Sequence, residues 1–469
     1  MPPDLDTSPR GEVERASLRH SPVEWVRGIL RSLFPSLGAE PGVDRVLGLL
    51  LLVASSVVAF LRIPATRRDT LWAEDGQVFF QGALSHNWFK TVVTPYAGYL
   101  HLYPRLSAEV AAASPVEAVP YVLGGLASLA IGITSWAVWT FARGLLPSRW
   151  LRGLLALGVA LAPPVGLESI GNVANSHFLL LFAAFWALIG MRAGKWAQVA
   201  PAALVVLAAL SDPTALVLLP LAVGRLVCAQ RWRERVVPIA YAAAMVAQLG
   251  VALFADRTSG QTASLREIAF GYSYRVVSPA LVGLDWTTGL VNLGGRRLIW
   301  AVAACTAVAL LVALALFARQ RVIALAAGLA SVAYFVVSCL FAVSVQYPPA
   351  GAGAANLELA ARYTIVPLLL LLTALLVAWQ GVLTTGQARG RALSALVQAL
   401  AVGPLLLYVV NDFRLASETP ETVADWTTQV DDGQQDCRTS PPRDTVSVVI
   451  APAVAPPWHV TFTCAELAP

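Results

Sequence analysis

Apolar runs of roughly 15 to 25 residues, each set off from the next by a polar break, recur along almost the whole chain, and each is about one bilayer crossing long. They lie at 46–63, 118–142, 151–167, 176–191, 197–210, 214–228, 237–254, 298–318, 322–345, 364–381 and 393–410. The pattern predicts an all-α polytopic membrane protein of about 11 transmembrane helices. Composition points the same way. Of 469 residues, 57% are hydrophobic and 13% charged, too little charge to coat a water-soluble globule, which excludes soluble enzymes and nucleic-acid binding.

The net charge of +5 reflects arginines between the runs, and these set orientation. With the N-terminus cytoplasmic, the connectors holding Arg143, Arg149 and Arg152, Arg192 and Lys195, Arg231, Arg233 and Arg235, Arg319 and Arg321, and Arg389 and Arg391 all fall inside. This divides the chain into a cytoplasmic N-terminal tail over 1–45, a membrane domain over 46–410 and an extracytoplasmic tail over 411–469. Large outer loops follow at 64–117, 255–297 and 346–363, so the material for a site faces away from the cytosol across a cytoplasmic membrane. In the N-terminal tail, Val23, Val26, Ile29, Leu30, Leu33, Phe34 and Leu37 recur at helical spacing, with Arg27 and Arg31 on another face, as in an interfacial helix. The remaining spans hold essentially no ionisable side chain, which argues against an ion-coupled transporter.

Two pairs of runs are short, offering about 20 to 25 Å of helix against a bilayer core of roughly 30 Å, so their outer turns sit low. Those turns carry Glu168, Asn172, Asn175 and His177 in one case and Ser211, Asp212 and Pro213 in the other. Polar residues at that depth imply a water-filled recess opening outward. Cys437 and Cys464 both fall in the outer tail, where an oxidising exterior favours a disulfide worth roughly 3 kcal/mol. Between them, Thr445 to Ile450 and His459 to Thr463 alternate around a Pro-rich link and predict two short β-strands.

The densest chemistry follows the first span, in Leu71-Trp72-Ala73-Glu74-Asp75-Gly76-Gln77-Val78-Phe79-Phe80-Gln81-Gly82-Ala83-Leu84. Trp72, Phe79 and Phe80 suit the headgroup level and leave Glu74 and Asp75 at the surface beside the recess. A carboxylate there accepts a proton from a hydroxyl or binds a divalent cation; it also reads as an acidic residue at a helix start. Further on, Tyr96, Tyr99, His101, Tyr103 and Arg105 combine aromatic faces with polar edges, as sugar sites and interfacial belts both do. His86, His101 and His177 have no zinc spacing, and no metal ligands are assigned.

Asp75, then Phe79 and Ala83 at four-residue steps, opens an amphipathic helix in the first outer loop of a chain with short span pairs and an outer tail. This arrangement resembles the GT-C superfamily of integral-membrane glycosyltransferases, which use lipid-linked donors. The resemblance implies a GT-C-like fold with Asp75 as catalytic base and Glu74 as a residue that positions it or binds a metal. Arg362-Tyr363, entering the tenth run, resembles the lipid-phosphate contact region of those enzymes; Arg362 also reads as an i, i+4 partner of Glu358, and Arg105 of Glu109. The donor follows independently of the family. The cytosolic connectors are short, with no Gly-rich phosphate loop and no domain to hold a nucleotide sugar, so an activated sugar has to arrive on a polyprenyl phosphate.

The expected function is transfer of a sugar from a polyprenyl-phosphate donor to an extracytoplasmic cell-envelope glycan or glycolipid acceptor. Asp75 takes the acceptor proton, Arg362 and Arg105 hold the phosphate, and Tyr99, His101, Tyr363, Glu168, Asn172, His177 and Asp212 surround the substrates. The alternative is a flippase of a lipid-linked saccharide, which needs the same recess but no base, and also needs polar continuity that the inner halves of the spans lack.

Overall fold

The apolar runs are mainly helical, because an apolar segment in lipid has to satisfy its backbone amides internally. The computed structural model describes residues 28, 30–38, 40–192, 196–254, 264–316, 321–341, 357, 360–386, 391–413, 423, 425–438, 441 and 444–467. Among the described residues, six helical stretches are long and apolar enough to cross a bilayer: Gly42–Arg62, Val116–Gly144, Trp232–Leu253, Leu265–Ala315, Arg321–Leu340 and Arg362–Gly381. Shorter apolar helices, Ser176–Ile189, Trp196–Ala209, Pro213–Cys228 and Gln398–Asn411, stand among them. The run at 151–167 is broken, since Pro163 and Pro164 separate Arg149–Leu161 from Pro163–Glu168.

Helix α1 (Gly42–Arg62) presents Val43, Val46, Leu50, Val53, Val57 and Leu61 outward, an exposed apolar stripe suited to lipid. Its other face lies against a later helix, Val119–Phe141, where Gly132 meets Leu52 O and Ser56 Oγ too closely for any side chain. Gly132→Leu is therefore expected to cost about 1–3 kcal/mol by overpacking, lowering the unfolding midpoint in detergent. Gly125→Leu, on the same helix but facing open space, is expected to leave the midpoint unchanged.

Between these two helices the chain makes a π-helical turn, Asp75–Phe80, continuing into Gln81–Ser85; together they are α2. Then follow α3 (Leu102–Ala112), α4 (Val119–Phe141), α5 (Arg149–Leu161), α6 (Pro163–Glu168) and α7 (Ser176–Ile189). After α8 (Val199–Ala209) and α9 (Trp232–Leu253), the chain over 265–297 is helical, not an extended loop. It comprises α10 (Leu265–Tyr272), a π-helical turn Ser273–Val277, and α11 (Ser278–Leu316), which breaks at Gly283 (φ 83°) and Gly295 (φ 58°). Asp412 sits where Gly283 has no side chain and accepts from the N–H groups of Leu284 (3.0 Å) and Asp285 (3.3 Å).

The post of the bundle is α13 (Arg362–Gly386), whose apolar window is 94% buried between α12 (Arg321–Phe341), α11, α7, α5 and α14 (Arg391–Asn411). Arg362 and Tyr363 begin it, at the end of the bundle that also carries α2 and α3.

In the N-terminal tail, Leu33, Phe34 and Leu37 are buried in the bundle, in place of the interfacial position expected for them. Phe34 lies against Gly224, and β1 (Ser36–Leu37) pairs in parallel with β2 (Met191–Arg192). The earlier part of that stripe, Val23 and Val26 with Arg27, lies outside the described residues, as does Ile29. At the C-terminus, α15 (Trp426–Cys437) precedes an antiparallel pair, β3 (Thr445–Ile450) and β4 (Trp458–Thr463). Val448, Ile450, Val460 and Phe462 are buried with Trp426, and Cys437 is bonded to Cys464 with a Cα–Cα distance of 5.1 Å.

Candidate functional site

Adjacent acids at 74 and 75 point in different directions, because successive residues of a helical turn lie about 100° apart. Asp75 is 2% exposed, and its two oxygens accept from the N–H groups of Val173 and Ala174, both at 2.7 Å. Those donors belong to the turn before α7, which Gly171 (φ 73°) and Asn172 shape: Asn172 Oδ1 accepts from Asn175 N–H, and Ser176 Oγ donates to Asn172 O. Asp75 thus fastens the first loop to the low turn between α6 and α7. Burial pushes its carboxyl up to about 7, against the lowering effect of the two amides, and Glu74 adds to the rise.

A carboxyl held near 7 when folded, against 3.8 ordinarily, contributes stability that is present below 3.8 and lost as pH rises through 7. Wild-type protein is expected to lose unfolding midpoint across that interval relative to Asp75→Asn, which carries no titrating group there. Differential scanning fluorimetry at stepped pH reads the difference.

Glu74 is partly exposed and follows Ala73, whose φ of 37° lies in the left-handed region that a non-glycine residue enters only under constraint. Burial raises the Tyr96 hydroxyl, the charge of Glu74 raises it further and that of Arg362 lowers it. Carboxylate and guanidinium therefore act on one phenol. Arg362 Nη1 lies 2.9 Å from Glu168 Oε2, its backbone N–H donates to the same oxygen at 3.2 Å, and its guanidinium lies 5.2 Å from the Tyr363 ring. A guanidinium bound through one carboxylate oxygen retains further N–H donors for a second anion.

Aromatic rings join these groups to a deeper layer. Tyr99 stacks on His101 at 4.1 Å, Tyr96 and Phe79 approach the same imidazole at 5.6 and 5.4 Å, and His177 stands edge-on to it at 6.1 Å. Burial, with His177 nearby, holds His101 well below the ordinary histidine range. His177 Nδ1 donates to Ala174 O at 2.6 Å, which leaves Nε2 as an acceptor 3.9 Å from Asp212 Oδ2. Asp212 Oδ1 accepts from Thr214 N–H and Oγ1, whereas Oδ2 is buried without a hydrogen-bond partner. Two acceptors facing each other call for a donor between them.

The sequence-derived set separates into two groups. Tyr96, Tyr99, His101, His177, Asp212, Tyr363, Arg362 and Glu168 join in one cluster of ring and ionic contacts, with the partly exposed Glu74 acting electrostatically on Tyr96. Asp75, Asn172 and Arg105 hold its walls. Arg105 is 3% exposed, donates to Val78 O at 3.1 Å, lies 5.0 Å from the Phe79 ring and fills the space beside Gly82. Its expected partner Glu109 has a buried Oε1 without any hydrogen bond, and Glu358 lies outside the described residues. Among the described residues, no group of three or more His, Cys, Asp or Glu side chains is placed to hold a metal ion. Sequence reasoning passed over Gln77, Gln81 and Gln248; the last exchanges two hydrogen bonds with the backbone of Leu100 and so fixes the aromatic stretch. Their signal was amide side chains in otherwise apolar or aromatic surroundings. No protein-family model matches the chain, and neither does any curated sequence.

Proposed function

We propose that this protein is a GT-C-like membrane glycosyltransferase that moves a sugar from a polyprenyl-phosphate donor to a cell-envelope glycan or glycolipid acceptor. In this reading the chain crosses a cytoplasmic membrane about 11 times, with the N-terminus inside and the recess and C-terminal tail outside. The observation that carries it is Arg362, partly exposed at the start of α13, bound to Glu168 at 2.9 Å and beside Tyr363, next to a cluster of Tyr99, His101, His177 and Asp212. A lateral groove favours a lipid-linked donor. It has a volume of about 590 Å³ and is lined by apolar residues of α10, α11 and α12, among them Ile268, Trp300, Leu310, Leu329 and Phe335. Next to Phe335, Tyr334 turns to the recess, where its hydroxyl meets Thr214 Oγ1 at 3.2 Å. A prenyl chain in the groove brings its phosphate to that end.

The base role falls to Glu74 and not Asp75, since both Asp75 oxygens are taken by backbone amides while Glu74 is open to solvent. Glu74 takes the proton of the acceptor hydroxyl as that oxygen bonds to the anomeric carbon. The bond from that carbon to the phosphate oxygen breaks on the opposite face, its electron pair leaves with the lipid phosphate, and Arg362 accepts the added charge. Inversion follows from a single displacement. The unpartnered Asp212 Oδ2 accepts a sugar hydroxyl, and Tyr99 and His101 give that sugar an aromatic wall. The test is transfer of radiolabelled sugar from a panel of polyprenyl-phosphate donors in membranes with wild-type or Glu74→Gln protein at matched levels. Wild-type-dependent transfer that Glu74→Gln abolishes is expected; movement of lipid-linked sugar across the membrane without its consumption would establish the flippase instead.

A further inference from the structure

The helix α2 that follows Glu74 is gripped along its length by the C-terminal tail. Ala73 N–H donates to Ala451 O at 2.6 Å and Ala451 N–H to Leu71 O at 3.0 Å, one parallel bridge on either side of Trp72. Gln77 Oε1 accepts from His459 N–H at 3.1 Å; one turn later, Gln81 Oε1 accepts from Thr461 N–H at 2.7 Å and Gln81 Nε2 donates to Thr461 O at 3.1 Å. The spacing is commensurate: glutamines four apart on a helix rise about 6 Å, and residues two apart on a strand about 6.6 Å. Gly76 lies under the hairpin, where a Cβ would meet the tip of the Ile450 side chain and force it to turn aside.

The gripping unit is itself braced. Gln429 of α15 exchanges two hydrogen bonds with Val449 of β3, both 2.9 Å, and Cys437–Cys464 ties the end of α15 to the end of β4. Trp426 is anchored to the rest of the chain by N–H to Asp69 O and Nε1–H to Val116 O, both 2.8 Å. The left-handed Ala73 and the partly exposed Glu74 lie between the bridge and the two glutamines.

We propose that the C-terminal tail is a positioning element of the reaction site, with Gln77 and Gln81 as the positioning residues that transmit the place of β4 to Glu74. The proposal rests on the reading of Glu74 as the base. Tail residues do not touch substrate; they fix the backbone that aims the carboxylate. Misplacing a reacting group by about 1 Å costs on the order of 100-fold in rate, so loosening the grip lowers turnover more than binding.

The test uses full-length protein in nanodiscs with Gln77→Ala/Gln81→Ala, Gln81→Ala and Gln81→Glu. Hydrogen exchange and transfer kinetics are measured on the same preparations. Exchange of the peptide over 71–81 is expected to rise about tenfold in the double variant while the β3–β4 peptides stay protected. The kcat is expected to fall about 10- to 100-fold with the donor KM unchanged. Gln81→Glu is expected to fall between wild type and Gln81→Ala, because a carboxylate still accepts from Thr461 N–H but cannot donate to Thr461 O, whereas a purely space-filling role would be preserved in full by Glu. Unchanged exchange over 71–81, equal opening of the hairpin itself, or raised exchange with unchanged kcat would each overturn the proposal. Wild-type protein that transfers no sugar would remove the proposed function and the catalytic half of this inference, while the exchange data would still decide the grip.

Discussion

Replacing Glu74 with Gln will lower sugar transfer by roughly 100- to 10,000-fold, the usual contribution of a positioned general base, without lowering the unfolding midpoint. Gln keeps the shape of the side chain and removes only its capacity to take a proton. Because Glu74 is partly exposed and Ala73 alone carries the backbone constraint, the substitution leaves no buried group unsatisfied. Asp75→Asn has the opposite signature. Its amide nitrogen faces one of the two N–H groups that the carboxylate now accepts, so activity falls together with stability, by about 1–3 kcal/mol. Comparing initial rates with melting curves separates the two acids. Full transfer by Glu74→Gln would overturn the assignment.

That distinction could not be read from the sequence. Glu74 and Asp75 are chemically near-equivalent neighbours, and which of them is open depends on Val173 and Ala174, almost a hundred residues away in the chain, presenting their amides. What was legible came from local physics. Runs of apolar residues fold as helices, alternation at Thr445 to Ile450 forms strand, and the turns before short helices bring His177 to within 3.9 Å of Asp212. Where one pattern fits two environments, the sequence misled: the stripe through Leu33, Phe34 and Leu37 has the period of an interfacial helix and of a buried one alike. Helix over 265–297 continues into the next apolar run with breaks at Gly283 and Gly295, a continuity that the polar residues among its apolar ones conceal. Arg105 has the charge of a phosphate ligand, yet it is 3% exposed against the Phe79 ring, a burial that its neighbours in sequence do not reveal.

Arg362→Ala is expected to lower kcat/KM for the donor by about 100- to 1,000-fold, the scale of losing a charge partner at a developing anion. Arg362→Lys is expected to recover part of this, since an ammonium keeps the charge but not the planar fork that meets two phosphate oxygens at once. The competing account treats Arg362 as a structural partner of Glu168. Their side chains are 38% and 22% exposed, and a pair so solvated contributes at most about 1 kcal/mol, too little for its loss to unfold the site. A double variant decides between the accounts. With Arg362 gone, Glu168 presents an uncompensated negative charge to the incoming phosphate, so Arg362→Ala/Glu168→Gln is expected to be several-fold more active than Arg362→Ala alone. A structural pair predicts no such gain, because its stabilising effect is already lost in the single variant. Recovery on removing the second charge therefore identifies repulsion of an anionic substrate and places the lipid phosphate at the start of α13.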